Sequence, residues 1–314
     1  MMRKDGKIYV AGHAGLVGSA IIRQLNKEGY HNIVTRSHDQ LDLTRQKEVE
    51  DFFQEEKPDY VFLAAAKVGG INANNKYPAE FIYINLTIET NVIHSAYQSK
   101  VEKLMFLGSG CIYPRIVPQP IKEEYLLTAP LEKTNEAYAL AKISGLKMCE
   151  FYNKQYGTDY ISVMPCNLYG PGDNYHPQNS HVVPALIRKF HEAKSNGSDQ
   201  VTLWGTGSAM REFMHIDDIG RACVYLMENY SGNECINIGF GNDIAIKDLA
   251  AIIAEVVEYQ GEIVYDTNMP DGTPRKLLDS TKLFDLGWRP SIDLKNGLID
   301  TYKDYLQNHD KYRK

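Results

Sequence analysis

The chain has 314 residues, more than a single hydrophobic core usually serves, and its 43% hydrophobic and 24% charged residues exclude a disordered or fibrous protein. A net charge of −6 at pH 7 offers no broad attraction to nucleic acid or an anionic membrane. Any anionic ligand must therefore be gripped by local cations and backbone amides.

In chain order, "KIYVAG", "NIVT", "YVFLAAA" and "KLMFLGS" are continuous apolar runs, as expected for strands buried on both faces. Between them, "GSAIIRQLNKEGY", "QKEVEDFFQEEK" and "AEFIYINLTIETNVIHSAYQSK" space their apolar residues at three and four, which predicts helices. A long helical pattern, "NEAYALAKISGLKMCEFYNKQYG", then leads into a single predicted strand, "DYISVMPCNLYG". This alternation predicts a doubly wound α/β fold of Rossmann type with a parallel sheet. After about residue 168 the texture changes to Gly, Pro, Asn and His, and "CINIG" at 235–239 predicts a further buried strand. The expected division is a dinucleotide domain over 1–167, rejoined by about 213–240. A smaller interleaved lobe takes 168–212 and 241–314.

No secretory h-region precedes the first strand, and no apolar run reaches the length of a membrane span. Five scattered cysteines (Cys111, Cys149, Cys166, Cys223, Cys235) lack any C-x-x-C spacing. They read as reduced thiols of a cytoplasmic protein, neither a disulfide framework nor a metal site.

"VAGHAGLVGSAII" places Gly12, Gly15 and Gly18 on the first βα turn. Such glycines permit a tight turn, backbone approach to a pyrophosphate, and close helix–sheet packing. Tyr138 and Lys142 in "YALAK" share one helix face, and that helix follows the strand ending in Ser109. Together the three predict a proton relay beside a nicotinamide: the Lys ammonium lowers the Tyr pKa and orients the ribose, and the Ser holds the substrate oxygen.

With these motifs the chain resembles the extended short-chain dehydrogenase/reductases. The stretches "AAAKVGGI", "GSGCIYP", "NLYGPGDNYHPQNSHVVPALIRKFHEA", "LWGTGSAMREFMHIDD" and "PDGTPRKLLD" narrow this to the GDP-L-fucose synthase family. The resemblance implies 3,5-epimerisation and NADPH-dependent 4-reduction of GDP-4-keto-6-deoxy-D-mannose. It carries the catalytic base and acid over to Cys111 and His181, since the C3 and C5 protons flank the C4 carbonyl and must be exchanged by such a pair. It likewise implies a cofactor site of Gly12, Gly15, Leu16, Val17, Gly18, Arg36, His38, Asp42, Leu107, Gly108, Lys142, Pro165, Asn167, Leu168 and His181. The GDP-sugar is expected on Lys189, Trp204, Arg211 and Asp271, with Arg188 and Arg275 adding charge. The family also implies a homodimer that pairs the helices at about 79–99 and 136–156.

This chain departs from the family at Ala14, where an Arg is common, and at Gly110, which replaces a serine. No acidic residue directly follows strand two to hold a ribose 2′-OH, so Arg36, assisted by His38, predicts NADPH over NADH. Two alternatives remain open at this point. One is an NAD-dependent sugar-nucleotide epimerase without net reduction, which Cys111 and His181 oppose. The other is a non-catalytic dinucleotide sensor, which the intact Ser109, Tyr138 and Lys142 oppose.

Overall fold

Each apolar run of the first half becomes a strand covered on both faces, and successive side chains feed two different cores. In the computed structural model, which describes residues 1–308 apart from Gln178 and Pro270, β1 (Ile8–Ala11) sends Ile8 and Val10 to one core and Tyr9 and Ala11 to the other. The chain continues through α1 (Leu16–Lys27), β2 (Ile33–Val34), α2 (Gln46–Glu56), β3 (Tyr60–Leu63), α3 (Ile71–Lys76), α4 (Pro78–Gln98), β4 (Lys103–Leu107), α5 (Glu136–Tyr156) and β5 (Tyr160–Pro165). Then follow β6 (Asn167–Tyr169), α6 (Val182–Asn196), β7 (Gln200–Trp204), β8 (Met210–Arg211), β9 (Phe213–His215), α7 (Ile216–Asn229) and β10 (Ile236–Ile238). The last elements are β11 (Ile244–Ala245), α8 (Ile246–Val257), β12 (Glu262–Asp266), β13 (Arg275–Lys276), α9 (Thr281–Asp285) and α10 (Leu294–Asn308).

The main sheet has the order β10-β5-β4-β3-β1-β2, with every pairing parallel. Its two faces carry the two cores: α1 and α7 cover one, and α2, α4 and α5 cover the other. This is the doubly wound class expected from the sequence. The strand order reverses between β1 and β3, and ligands of such sheets bind outside the strand carboxyl ends at that reversal. A third core lies apart from the sheet, built from Leu186, Ile187 and Phe190 of α6, Leu249 and Ile253 of α8, Leu298 of α10, and Val201 and Leu203 of β7. Among the described residues, no helix is long and apolar enough to cross a membrane.

The single strand expected over 159–170 is two strands. β5 stays in the main sheet between β4 and β10, whereas β6 pairs with β9 in a separate ribbon. Pro165 has no N–H with which to extend the ladder, and Cys166 donates its N–H to the Ile238 carbonyl as the chain leaves. That break opens the sheet at the end where Pro165 and Cys166 line one cleft with Ser109 and Cys111.

Candidate active site

The turn after β1 is shaped by what its glycines lack. Gly12 has φ of +81°, and a Cβ there would lie 2.7 Å from the Ala65 backbone on the neighbouring strand end. A Cβ on Gly18 would lie 2.2 Å from the Gly12 carbonyl oxygen, so helix and turn touch backbone to backbone. Gly15 is the N-cap of α1 and supplies no capping side chain. The first amides of the helix, those of Leu16, Val17 and Gly18, have no partner in the preceding turn of the helix. A glycine cradle with uncapped amides fits the pyrophosphate of a dinucleotide.

β4 ends against this region, and its continuation is fixed by small residues. A Cβ on Gly108 would strike the Met164 sulfur at 2.4 Å, and the Gly108 N–H binds the Val163 carbonyl at 2.9 Å. Ser109 caps the single helical turn Gly110–Ile112, its Oγ accepting the Cys111 N–H at 3.3 Å. The turn thus holds Cys111 at a small cleft lined by Ser109, Gly110, Cys111, Pro165, Cys166, Asn167, Lys276 and Leu278. Asn167 is anchored by its amide to the Glu212 carbonyl at 2.8 Å. Leu168 follows it, half-buried, in β6. Lys276 was not singled out from the sequence. Its signal lies beside Arg275 in "PRKLLD", where the two cations could not be told apart. The structure separates them, because Arg275 forms a two-point ion pair with Asp243 at 2.6 and 3.1 Å while Lys276 turns into the cleft. Burial pushes the thiols of Cys149 and Cys235 up to about 12 and about 11, and raises those of Cys223 and Cys166 as well.

Tyr138 and Lys142 project from α5 toward the end of β4. Lys142 is 2% exposed and donates to the Leu107 carbonyl at 3.0 Å. Its Nζ also lies 3.1 Å from Oε1 of Glu89, a fully buried carboxylate of α4. The expectation that Lys142 lowers the Tyr138 pKa is not met. Burial first, then the nearby Cys111 and Glu89, hold the Tyr138 phenol well above its ordinary value.

His181 is the N-cap of α6, and its loop is tied to the segment after β3 by a bond from the Gly70 N–H to the Asn179 carbonyl at 3.3 Å. The imidazole reaches the surface, yet its crowded surroundings disfavour the charged form and lower its pKa. It is not in the wall of the cleft that holds Cys111. After β2, Arg36 pairs with Glu56 of α2 and donates to the Thr35 carbonyl at 2.9 Å. His38 is exposed 4.0 Å from Asp42, whose Oδ1 accepts the Thr44 N–H and hydroxyl at 2.9 and 2.7 Å.

The remaining expected residues meet around β7 and β8. Trp204, at the end of β7, is 65% exposed, a large apolar face open to a flat ligand. Lys189 donates to the Thr202 carbonyl at 3.2 Å. Arg211 lies in β8 directly opposite Lys276 of β13, which links this region to the cleft. Asp271 receives the Thr206 N–H and hydroxyl at 2.7 and 2.9 Å and fixes the loop after Trp204. Arg188 is engaged with Glu192 at 2.5 Å and the Tyr175 carbonyl at 3.1 Å, so it faces away from this group.

The model of the NAD dependent epimerase/dehydratase family matches residues 8–239. The chain is 61% identical to a putative GDP-L-fucose synthase 2 of Arabidopsis thaliana, over 98% of this chain and 94% of that one. It is 53% identical to the GDP-L-fucose synthase of Escherichia coli K12, over 98% of each. Among solved structures it is similar to a GDP-L-fucose synthetase from Naegleria fowleri bound to NADP, with a TM-score of 0.92 and 27% identity over 100% of this chain and 98% of that one. Likeness that runs through glycine turn, cleft and third core alike means that the chain belongs to the NAD dependent epimerase/dehydratase family and, within it, to the GDP-L-fucose synthases.

Proposed function

We propose that this protein converts GDP-4-keto-6-deoxy-D-mannose to GDP-L-fucose by 3,5-epimerisation followed by NADPH-dependent reduction at C4. The observation that carries the reading is the convergence of Ser109, Cys111, Asn167 and Lys276 in one cleft at the end of β4, the strand against which the Tyr138–Lys142 helix packs. The cofactor fits the glycine cradle at Gly12, Gly15 and Gly18 with the amides of Leu16 and Val17, and the strand ends at Leu107, Gly108, Pro165, Asn167 and Leu168. When bound, NADPH supplies the hydride for C4. Arg36 and His38 favour its 2′-phosphate, provided Arg36 leaves Glu56. Asp42 shapes the same loop.

In the epimerisation, Cys111 removes the protons at C3 and C5 and His181 returns them from the opposite face. The enolate formed between these events needs positive charge and hydrogen-bond donors, and Lys276 stands in the cleft to provide the charge. In the reduction, Ser109 orients the C4 oxygen and Tyr138 gives it a proton. The GDP moiety lies along Trp204, Lys189, Arg211 and Asp271. The expected division follows the same lines, with cofactor chemistry in 1–167 and 213–240 and the GDP-sugar lobe in 168–212 and 241–314. Exposed Tyr83 on α4 and Phe151 and Tyr156 on α5 support a homodimer formed through these helices. The uncrosslinked cysteines support a cytoplasmic location.

The test is Cys111→Ser in heavy water, with substrate and no reduced cofactor. The parent protein should wash deuterium into C3 and C5, and the variant should lose this exchange while still reducing an already epimerised 4-keto sugar. Undiminished exchange in the variant removes Cys111 from the chemistry.

A further inference from the structure

Glu89 has no place in the reactions just described, yet it occupies the interior of α4 one turn beyond Asn85. The two buried polar residues of this helix face are treated very differently. Asn85 accepts the Lys67 N–H at 2.8 Å and donates to the Lys67 and Phe81 carbonyls at 3.0 and 2.7 Å, so it is fully used as a clamp on the loop after β3. Glu89 is 1% exposed and neither of its oxygens accepts a directed hydrogen bond. Its one strong interaction is the ammonium of Lys142 at 3.1 Å. The space it fills is kept open by Gly145 on α5, where a Cβ would lie 2.7 Å from Glu89 Oε2 and 2.5 Å from the Phe106 ring. A buried carboxylate costs several kcal/mol unless an opposite charge offsets it, so a site of this kind is not a packing accident.

We propose that Glu89 is a positioning residue of the reduction: as the counter-ion of Lys142 it cancels the ammonium and keeps Tyr138 a neutral phenol, the form that can give a proton to the C4 oxygen. A lone ammonium beside a buried tyrosine favours the phenolate, which suits a base that takes a proton during an oxidation. A neutral pair leaves burial in control and favours the phenol, which suits a reductase. The groups facing Glu89 are Lys142, Tyr138 and Cys149 from α5, while Cys111 faces Tyr138 from the turn after β4. All but Lys142 oppose the phenolate or carry no positive charge. The upward displacement of the Tyr138 pKa agrees with this arrangement.

The inference rests on Tyr138 being the proton donor, and its test needs no substrate, so it fails separately from the GDP-sugar reading. In full-length protein carrying [13Cζ]tyrosine, the Tyr138 resonance is identified by its absence in Tyr138→Phe. The parent should keep Tyr138 protonated to the alkaline limit of the folded state. Glu89→Gln should ionise it at least about one pH unit lower, and the alkaline limb of kcat for reducing the epimerised sugar should move by the same amount with KM little changed. A Tyr138 that stays protonated over the same range in Glu89→Gln overturns the proposal. If that variant does not fold, Lys142→Met decides. Burial raises the Glu89 pKa and Lys142 opposes that. Loss of the ammonium should therefore make Glu89 take up a proton, visible at neutral pH as an infrared carbonyl stretch of a protonated carboxyl that the parent lacks and that disappears in Lys142→Met/Glu89→Gln. The same band in the parent would overturn the proposal. Absence of that band from Lys142→Met shows that Lys142 was not its counter-ion.

Discussion

Gly18→Ala isolates the glycine cradle from every catalytic group. The new methyl would sit 2.2 Å from the Gly12 carbonyl oxygen and 2.7 Å from its carbon, both backbone atoms that cannot rotate away. Relief requires roughly 1 Å of movement between α1 and the turn after β1, the kind of overpacking that costs about 1–3 kcal/mol. Alanine's better helix propensity returns about 1 kcal/mol, leaving a net loss of about 2 kcal/mol at the upper end of that range. For a chain of this size the melting temperature should fall by about 3 °C. The same movement displaces the Leu16, Val17 and Gly18 amides, so NADPH affinity, read by nicotinamide fluorescence, should drop at least about tenfold. Gly29→Ala serves as the control, because φ of +82° penalises the alanine but a Cβ there meets nothing within 4 Å. It should lose stability without losing cofactor affinity. Native melting and affinity in Gly18→Ala would refute both the contact and the assignment of the turn.

Tyr138→Phe should fold and bind cofactor as the parent does while reduction falls about 10²-fold or more; near-native turnover would reject its role as proton donor. NADPH should be preferred to NADH in catalytic efficiency, and Arg36→Ala should erase most of the preference. If it does not, the Arg36–Glu56 pair is not released for the cofactor. Burial holds the carboxyls of Glu212 and Asp173 up at about 7. These folded values lie above the unfolded ones, so the stability they contribute is complete below about pH 4 and is lost as pH rises toward 7, by about 3–4 kcal/mol for each. Urea midpoints across pH 4.5–7 should therefore show a flatter trend in Glu212→Gln, and an unchanged slope would contradict the raised value.

The sheet was legible because burial on both faces writes continuous apolar runs, and the turn after β1 because only glycine tolerates such backbone contact. The division of 159–170 into two strands was not legible. Both halves are apolar, and the choice between β10 and β9 as partner is made by chain segments some 50 residues away or more. Ser109 and Cys111 could be placed at a strand end from local sequence alone. Lys276 could not be chosen over Arg275, since the difference is the presence of Asp243 beside one of them. Glu89 was the least legible. In "NLTIETNVIH" a lone carboxylate on an amphipathic helix reads as part of the solvated face, and only the packing of α4 on α5 reveals that this position points inward against Lys142.

Charge pairing shows where an anion belongs in a chain that is negative overall. Most cations near the expected sites already have a carboxylate: Lys142 has Glu89, Arg36 has Glu56, Arg188 has Glu192 and Arg275 has Asp243. Lys189, Arg211 and Lys276 form no ion pair among the described residues, although burial disfavours the charge of each and lowers its pKa. Holding three such cations without counter-ions is a standing electrostatic cost, and the cost is offset when a ligand brings the missing negative charge. A diphosphate supplies it. Arg211 and Lys276 are opposed across β8 and β13, Lys276 reaches the cleft of Cys111, and Trp204 offers an exposed face at the end of β7. A ligand with a flat base at Trp204, a diphosphate on Lys189 and Arg211, and a sugar beside Cys111 and Lys276 would therefore match these features, as the proposed function requires. In the proposed reading the diphosphate falls to Lys189 and Arg211, which leaves Lys276 as the positive charge nearest the enolate, so binding and epimerisation would draw on one electrostatic arrangement.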